Sequence, residues 1–202
     1  MLGDGFEGIL ERARAGDELA WAALYDDLAG PLLGYLRGRG APEPEDQLGE
    51  TFLQIARDLP SFSGDESGFR SWVFTIAHRR LLDASRRRRR RPAVPLEDVR
   101  LVPLAEAADA GEDDVARAIA ALGDRELIAR LLAPLTEEQR EVLLLRFAAD
   151  LDTATVGAIT GRSANAVAAM TRRAIADLRR LLDDAGGPPS APAASSRGPD
   201  RR

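Results

Sequence analysis

The chain has 202 residues, of which 30% are charged, and its formal net charge at pH 7 is −5. It contains no cysteine, which excludes disulfides, thiolate zinc sites and cysteine nucleophiles. All 28 cationic residues are arginines, so catalysis through a lysine Schiff base and a lysine-containing phosphate loop are also excluded.

The apolar residues are distributed as in a helical cytoplasmic protein. Only 5% of the residues are aromatic, so the core is expected to consist of leucine, alanine and valine. The N-terminus lacks the basic-then-apolar layout of a signal peptide, and no window approaches the ~20 apolar residues of a membrane span. We therefore expect a cytoplasmic location without membrane insertion.

The beginning of the chain predicts three helices. The first covers residues 4–15 and is closed by Gly16 as a C-cap. Asp17 can cap the second, which Gly30-Pro31 is expected to interrupt or kink. Pro44 is well placed for the first turn of the third helix, which extends to residue 59. The predicted apolar face of this third helix comprises Leu48, Phe52, Ile55, Ala56 and Leu59.

The opposite face of the third helix is acidic, with Glu43, Glu45, Asp46 and Glu50. Acidic residues in a first helical turn complement the helix dipole, and this alone could account for them. The same residues could instead form a face that docks on a basic partner. Both interpretations remain open at this point.

A long amphipathic helix is predicted from Ser67, a good N-cap, to Arg91. At ~1.5 Å per residue it would be ~35 Å long. Its apolar stripe comprises Phe69, Val73, Ile76, Ala77, Leu81 and Ala84. Its expected exposed side carries Arg70, His78, Arg79, Asp83 and Arg86.

The long helix ends in six consecutive arginines, Arg86 to Arg91. A single arginine there is explained by the helix dipole or by an ion pair between Asp83 and Arg79 or Arg87. Six in a row repel one another, and a polyanion such as nucleic acid offsets that repulsion. We therefore interpret the cluster as a nucleic-acid contact, despite the negative net charge of the whole chain.

The amino-acid composition of the chain changes at Pro92. Residues 92–114 are acidic and contain three prolines, which is typical of a linker. We expect an all-α protein of two small helical domains, residues 1–91 and 115–184, joined by this flexible linker and followed by a disordered tail, 185–202. The first helical pattern of the second domain covers residues 115–132, and we expect a break near Gly123.

The end of the second domain has the plan of a helix-turn-helix. Thr136 to Gln139 form a capping box for a helix that runs through Phe147. Asp152 or Thr153 starts a short helix closed by Gly161, and Ser163 caps a longer basic helix. The second helix of such a motif enters the DNA major groove. A plain three-helix bundle has the same spacing and is the alternative.

Together these segments resemble the bacterial RNA polymerase sigma factors of the extracytoplasmic-function (ECF) group. The resemblance covers about residues 5–183. It is carried by EDQLGETFLQIARDL, by FRSWVFTIAHRRLLDASRR, and by PLTEEQREVLLLRFAADL followed by the helix-turn-helix. It implies a specificity subunit without catalytic residues, cofactor or metal, whose partners are core RNA polymerase, through its clamp helices and flap, promoter DNA and an anti-sigma factor.

The resemblance also implies which residues make these contacts. The polymerase-binding helix would contribute Asp46, Gly49, Glu50, Phe52 and Leu53. The promoter's minus-ten element would be opened and read by Trp72, His78, Arg79, Arg80, Asp83, Arg86 and Arg87, with an unstacked base held between Ser61 and Phe69. The minus-thirty-five element would be read by Arg162, Ser163, Ala168, Ala169, Arg172 and Arg173.

The chain departs from the family pattern at several of these positions. Gly49 stands where the family often has glutamine, which removes a polar contact and lowers helix propensity. Arg79 stands where asparagine is common, which suggests an altered base preference. Ala168 and Ala169 can touch a thymine methyl group but cannot form a bidentate contact to guanine. Readout is then expected to depend on Arg162, Arg172 and Arg173.

Two other functions are compatible with parts of the sequence. An autonomous helix-turn-helix regulator with a helical effector or dimerisation domain would share the second half. An enzyme could use the arginine cluster to hold phosphates, but the chain has one histidine, His78, and no HExxH or paired-carboxylate motif. A lone histidine on a basic helix face is more often a polar surface residue than a general base.

Overall fold

The computed structural model of the chain describes residues 2–89 and 132–186. Within these two ranges all regular secondary structure is helical, as predicted. The expected linker, 92–114, and most of the helix 115–132 and of the C-terminal tail lie outside the described residues. The α-helices of the described ranges are α1 Phe6–Arg14, α2 Glu18–Gly38, α3 Pro44–Asp58, α4 Glu66–Arg89, α5 Glu137–Leu143, α6 Thr153–Thr160 and α7 Ala164–Gly186.

Helix α2 begins at the predicted cap and continues through the Gly30-Pro31 pair. The Asp17 carboxylate accepts hydrogen bonds from the backbone N–H groups of Leu19, at 2.9 Å, and Ala20, at 3.3 Å. The helix then runs through Pro31 to Gly38, so of the two predicted outcomes, an interruption or a kink, the interruption does not occur. Proline removes one intrahelical hydrogen bond, but the residues on both sides of it are anchored in the core. Those anchors are Leu28, Leu32, Tyr35 and Leu36.

Helix α3 begins at Pro44, as predicted, and packs on α2 and α4. Leu48, Ile55 and the following Leu59 are buried, and Phe52 is half-buried. Ala56 was predicted to face inward but is exposed. The inward position next to Ile55 on the preceding turn is taken by Thr51, whose hydroxyl donates to the Gln47 carbonyl oxygen at 2.7 Å and so needs no partner outside the helix.

Helix α4 starts one residue before the predicted cap. Asp65, not Ser67, caps it, because the Asp65 carboxylate accepts from the Gly68 N–H at 2.7 Å. The predicted stripe is buried at four of its six positions, Phe69, Val73, Ala77 and Leu81. Phe74, which lies outside that stripe, is also completely buried and packs edge-on against Tyr35, with ring centroids 5.7 Å apart. Helix α4 therefore has a wider buried face than its sequence period indicates.

The second described range folds as the predicted helix-turn-helix with its preceding helix. The Thr136–Gln139 capping box is formed in both directions, with backbone-to-side-chain distances of 3.0 and 3.2 Å. Helix α5 ends at Leu143 rather than continuing through Phe147, and residues Leu144–Ala148 form a π-helical turn. The Ala149 N–H bonds to the Leu144 carbonyl oxygen at 3.0 Å, five residues earlier.

The turn between α6 and α7 depends on two glycines. Gly161 ends α6 in the left-handed conformation, with φ of 71°, as its predicted role as a C-cap requires. Gly157 lies where the backbone of the turn crosses α6, and a Cβ there would be 2.5 Å from the Arg162 carbonyl oxygen. Ser163 caps α7 by accepting from the Ala166 N–H at 3.2 Å. Asp152 caps α6 in the same way, accepting from Thr155 at 2.7 Å.

The two described ranges share one hydrophobic core. We call α1–α4 the N-terminal unit, and the segment from Leu132 through α7 the C-terminal unit. Helix α2 contacts the π-helical turn Leu144–Ala148, and α4 contacts α6. A Cβ on Gly38 of α2 would be 2.7 Å from both methyl groups of Leu144. The units are therefore in direct contact across an apolar seam. None of the described helices is both long and apolar enough to cross a bilayer.

We predict that Leu32→Ala lowers the free energy of unfolding by about 2–5 kcal/mol, because Leu32 is completely enclosed and truncation leaves a cavity. Leu19→Ala, on the same helix but 75% exposed, should change it by less than about 0.5 kcal/mol. Urea denaturation followed by circular dichroism measures both. Equal losses in the two variants would contradict the placement of the core along α2.

Candidate nucleic-acid interface

Helix α4 presents part of the predicted cationic face to solvent and buries another part. Arg79, Asp83, Arg86 and Arg87 are exposed. Arg86 pairs with Asp83 at 3.3 Å, whereas no ion pair to Arg79 is found within the described ranges. An exposed arginine that is not held by an internal carboxylate can contact a phosphate without first breaking an ion pair, which makes Arg79 a candidate phosphate contact on this helix.

Two residues expected on the exposed side of α4 are buried. Arg70 and His78 are each less than a tenth exposed, so the expectation of surface positions for them is wrong. The Arg70 guanidinium donates to the Ala149 carbonyl oxygen at 2.7 Å and pairs with Asp27 at 3.1 Å. The C-terminal unit covers this side of α4. The apolar period of a single helix carries no information about a distant segment that packs on it, so the burial of these two residues could not be predicted from α4 alone.

Aromatic rings cluster at the start of α4 around the predicted base pocket. Phe62 lies in the loop before the helix, and its ring centroid is 5.2 Å from that of Phe69 and 5.1 Å from that of Trp72. Phe6 of α1 packs on Phe69 from the other side, at 5.5 Å. Phe62 and Trp72 are only half-buried, so aromatic surface remains accessible for stacking with an unpaired base. Phe6 and Phe62 were not among the predicted site residues.

A shallow groove of about 510 Å³ runs between α2 and α3. Three of the predicted polymerase-binding residues line it, namely Gly49, Phe52 and Leu53. The Phe52 ring lies against that of Tyr25, with centroids 4.7 Å apart, and Leu53 is 58% exposed. The absence of a side chain at Gly49 leaves open space, since a Cβ there would meet nothing within 4 Å.

The groove is apolar at its floor and acidic at its edge. Trp21 and Tyr25 of α2 form the wall opposite α3, and sequence reasoning did not assign them to the site. Glu18 and Asp26 lie at the margin. Asp46 is exposed elsewhere on α3, and Glu50 pairs with Arg80 of α4. An apolar channel with acidic borders fits an amphipathic helix that carries basic residues.

In the C-terminal unit the predicted DNA-reading helix α7 has its arginines exposed. Arg172 and Arg173 are exposed, and Ala168 and Ala169 are half-buried. Arg162, in the turn before α7, is engaged within its own unit, 3.7 Å from Glu138 and 3.5 Å from Glu141. Exposed arginines on this helix are suited to phosphate contacts.

Glu141 of α5 lies at the junction of the two units and has cationic or protonatable neighbours from both. Its Oε1 atom is 3.2 Å from the Arg39 guanidinium and 3.2 Å from His78 Nδ1, both of which belong to the N-terminal unit. His78 Nδ1 is also 3.2 Å from the Tyr35 hydroxyl. Sequence reasoning missed this cluster because its members come from three separate segments of the chain, the end of α2, α4 and α5, and no local pattern joins them.

The pKa of the Glu141 carboxyl reflects two opposing causes. Burial raises this pKa, but the hydrogen bond from His78 and the charges of Arg39, His78 and Arg162 lower it, and the net pKa lies below the ordinary 4.5. Burial raises the pKa of the neighbouring Tyr35, which therefore stays a neutral phenol at physiological pH. Glu141 is thus an ionised carboxylate enclosed between two folded units.

Two family models match the chain in order. Residues 23–91 match sigma-70 region 2, and residues 125–178 match sigma-70 region 4. The first match covers most of the N-terminal unit and the second covers most of the C-terminal unit. Both parts of the predicted two-domain pattern are therefore found, in the predicted order.

Curated relatives match over nearly the whole chain. The ECF RNA polymerase sigma factor ShbA of Streptomyces griseus is 30% identical over 87% of this chain and 94% of its own length. SigK of Mycobacterium tuberculosis is 27% identical, over 90% of this chain and 96% of its own length. BldN of Streptomyces coelicolor is 29% identical over 87% of this chain, which spans 65% of BldN.

A solved structure has a similar fold. CnrH, solved in complex with the cytosolic domain of CnrY, matches with a TM-score of 0.60 and 24% identity. The match covers 90% of this chain and 99% of CnrH. Its identity is low, so it supports the fold alone.

We predict that acid weakens the folded state partly through Glu141. Because its folded pKa is depressed, its contribution is fully present above the ordinary value of 4.5 and is lost as the pH falls through the lower folded pKa. Urea denaturation between about pH 6 and pH 3 should show a smaller acid loss for Glu141→Gln than for the wild type. Some loss should remain in the variant, since Asp17, Asp152 and Asp177 also have lowered pKa values. Parallel curves for the two proteins would contradict the role of Glu141.

Proposed function

The chain belongs to the ECF group of RNA polymerase sigma factors and directs transcription initiation, and from this premise we propose how its surfaces divide that task. The observation that carries the function is the ordered match of both sigma-70 regions together with relatives aligned over almost their whole length. The autonomous regulator remains the alternative that the comparisons do not favour. Residues 1–91 and 115–184 serve as the polymerase and minus-ten domain and the minus-thirty-five domain, joined by the linker 92–114.

The groove between α2 and α3 is the docking site for the clamp helices of core polymerase. Its occupant is a helical surface with apolar and basic side chains, because the floor is apolar and Glu18 and Asp26 lie at the margin. Phe52 and Leu53 supply the apolar contact, and Asp46 supplies charge on the same helix. The flap of the polymerase engages the C-terminal unit.

The exposed arginines of α4 and the aromatic cluster act together on the minus-ten element. Arg79, Arg86 and Arg87 hold the phosphate backbone, and Arg80 can exchange Glu50 for a phosphate. An extruded base stacks on the accessible surface of Phe62 and Trp72. Asp83 orients Arg86 through their ion pair. His78 is buried at the junction of the two units, so it does not contact DNA in the described arrangement.

Helix α7 binds the minus-thirty-five element mainly through contacts to the phosphate backbone of the DNA. Arg172 and Arg173 bind phosphates on the flanks of the major groove, together with Arg162 and Ser163 at the N-terminus of the helix. Ala168 and Ala169 face the bases and favour thymine methyl groups over guanine. Sequence selection at this element is therefore modest.

The protein has no catalytic activity of its own and works in the compartment of RNA polymerase, the cytoplasm. A protein inhibitor of the anti-sigma kind regulates it, as the resemblance to the family implies; the similarly folded CnrH was itself solved in complex with another protein, the cytosolic domain of CnrY. Run-off transcription with purified core enzyme over a library of promoter fragments tests the function as a whole. Binding of the free chain to duplex promoter with unchanged affinity in the absence of polymerase would favour the autonomous regulator instead.

We predict that Phe52→Ala and Leu53→Ala each weaken binding to core polymerase by about tenfold, because truncation of an apolar contact residue costs more than about 1 kcal/mol. Leu19→Ala is the matched control, since Leu19 is an exposed leucine of α2 outside the groove lining. Titration of labelled core enzyme measures the three affinities. A loss for Leu19→Ala equal to the other two would show that the groove is not the docking site.

We predict that reversing the charge of Arg79 and Arg86 abolishes promoter opening while binding to core polymerase stays intact. The two side chains lie two turns apart on the exposed side of α4 and contact DNA rather than polymerase. Run-off transcription on duplex promoter should fail, whereas a template already unpaired at the minus-ten element should recover product. An equal fall in polymerase binding would show that the two surfaces are not divided in this way.

A further inference from the structure

Helix α1 lies outside the match to sigma-70 region 2, which begins at residue 23, yet it packs beside the aromatic cluster at the start of α4. Phe6 at the start of α1 is buried, and its ring centroid is 5.5 Å from that of Phe69. Just before α1, the backbone N–H groups of Leu2 and Gly3 donate to the Glu66 carboxylate. The N-terminal end of α1 is therefore fixed to the first turn of α4.

The other end of α1 holds the loop between α3 and α4, residues 59–65, which we call the α3–α4 loop. Arg14 lies in the last turn of α1 and donates from Nε to the Leu59 carbonyl oxygen at 3.3 Å. Its Nη2 donates to the Phe62 carbonyl oxygen. One planar guanidinium thus binds two carbonyl groups that lie on either side of the turn leading to the Phe62 ring. These charge-assisted bonds add to the loop's own bond, from the Phe62 N–H to the Leu59 carbonyl oxygen at 3.2 Å.

Helix α1 is a firm support for this loop because its inner face is anchored in the core. Leu10 and Ala13 are buried. The indole Nε1 of Trp21 in α2 donates to the Ala13 carbonyl oxygen at 2.9 Å, so the last turn of α1 is tied to α2 beside Arg14. The two bonds from Arg14 therefore fix the loop relative to the core of the N-terminal unit.

The position of the Phe62 ring depends on the conformation of the α3–α4 loop. Gly64 has a φ of 154°, which other residues rarely adopt, and a Cβ there would be 3.1 Å from Cζ of the Phe62 ring. The ring thus lies back over its own loop, with Phe69 and Trp72 on α4 as its aromatic neighbours. A shift of the loop would change the aromatic surface that is open to an unpaired base.

We propose that α1 is a brace for the α3–α4 loop and that Arg14 is the positioning residue through which it acts, holding Phe62 where an unpaired minus-ten base stacks on it. Arg14 binds the loop and not the DNA. A loop that is already ordered costs less to immobilise when the base arrives, so the base is captured more tightly. The inference rests on the proposed function, since it needs Phe62 and Trp72 to bind a base.

The brace is tested with variants of two arginines of α1. Arg14→Met removes both hydrogen bonds and one positive charge but keeps a long unbranched side chain. Arg12→Met is the matched control, because Arg12 is an exposed arginine of the same helix that pairs with Asp17 and not with the loop. Arg14→Lys keeps the charge but not the planar pair of donors. Helical circular dichroism is recorded for each variant, and Arg14→Lys decides if Arg14→Met does not fold.

Base capture is measured with holoenzyme assembled from core polymerase and the full-length chain. The probes are single-stranded oligonucleotides of the non-template minus-ten strand, taken from a promoter recovered by run-off transcription. Each is compared with copies in which one base is replaced by an abasic site. For the wild type and Arg12→Met, one abasic position should lower affinity about tenfold, because stacking of one base is lost.

For Arg14→Met this abasic difference should shrink to about two- to threefold, and Arg14→Lys should lie between Arg14→Met and the wild type. Phe62→Ala should also shrink it, and adding Arg14→Met to Phe62→Ala should have little further effect, because both act through the same ring. An unchanged abasic difference in Arg14→Met overturns the inference. So does an equal loss of affinity for intact and abasic oligonucleotides, which would show a merely structural role.

A direct phosphate contact is the competing role for Arg14, and salt dependence separates the two. A positioning residue releases no counterions from DNA, so the slope of log affinity against log salt concentration should be the same for Arg14→Met and the wild type. A slope smaller by about 0.7 in Arg14→Met and restored in Arg14→Lys would show that Arg14 binds a phosphate of the single strand, and would overturn the inference.

Amide hydrogen exchange of the free full-length chain tests the brace without polymerase. Residues 59–65 should exchange several-fold faster in Arg14→Met than in Arg12→Met, with α4 unchanged, and equal exchange overturns the brace. If the wild-type chain neither binds polymerase nor transcribes, the proposed function fails, while exchange still shows whether Arg14 holds the loop. If it transcribes but no abasic position matters, the proposed base stacking fails and the inference fails with it.

Discussion

An ionised carboxylate enclosed between two helical units is the interaction on which the described arrangement depends. Glu141 is surrounded by Arg39, His78 and Arg162, and its lowered pKa shows that these neighbours more than offset the cost of burial. The apolar seam beside it, at Gly38 and Leu144, supplies contact area but little directional preference. The charges therefore define which faces meet, and the seam holds them together.

Local features of the structure could be predicted because their causes lie within a few residues. Asp17, Thr136, Asp152 and Ser163 cap the helices that they were predicted to cap, since each carries an acceptor at the correct distance from unpaired backbone N–H groups. Gly161 has the positive φ that its position requires. The match of family, fold and function followed from the order of such segments along the chain.

Features that depend on packing between distant segments could not be predicted in this way. Helix α2 continues through Pro31 because core contacts on both sides outweigh one lost hydrogen bond. Arg70 and His78 are polar residues on the predicted outer face of α4, and only the presence of the C-terminal unit explains their burial. Only one side of the candidate groove was predicted, for the same reason. The groove residues of α3 were predicted from the sequence, whereas Trp21 and Tyr25 of α2 line the groove only because folding places α2 beside α3.

The π-helical turn at Leu144–Ala148 has a consequence for any fragment of this protein. Val142, Leu143, Leu144 and Leu145 are consecutive and all almost completely shielded from solvent, which one face of a regular helix cannot achieve. Part of this run therefore packs on the helix-turn-helix, and part packs on the N-terminal unit. Cutting the chain between the two units would expose an apolar surface of leucine side chains to water, and the separated C-terminal fragment should aggregate. To stay soluble, this fragment would need another partner that buries the same leucine side chains.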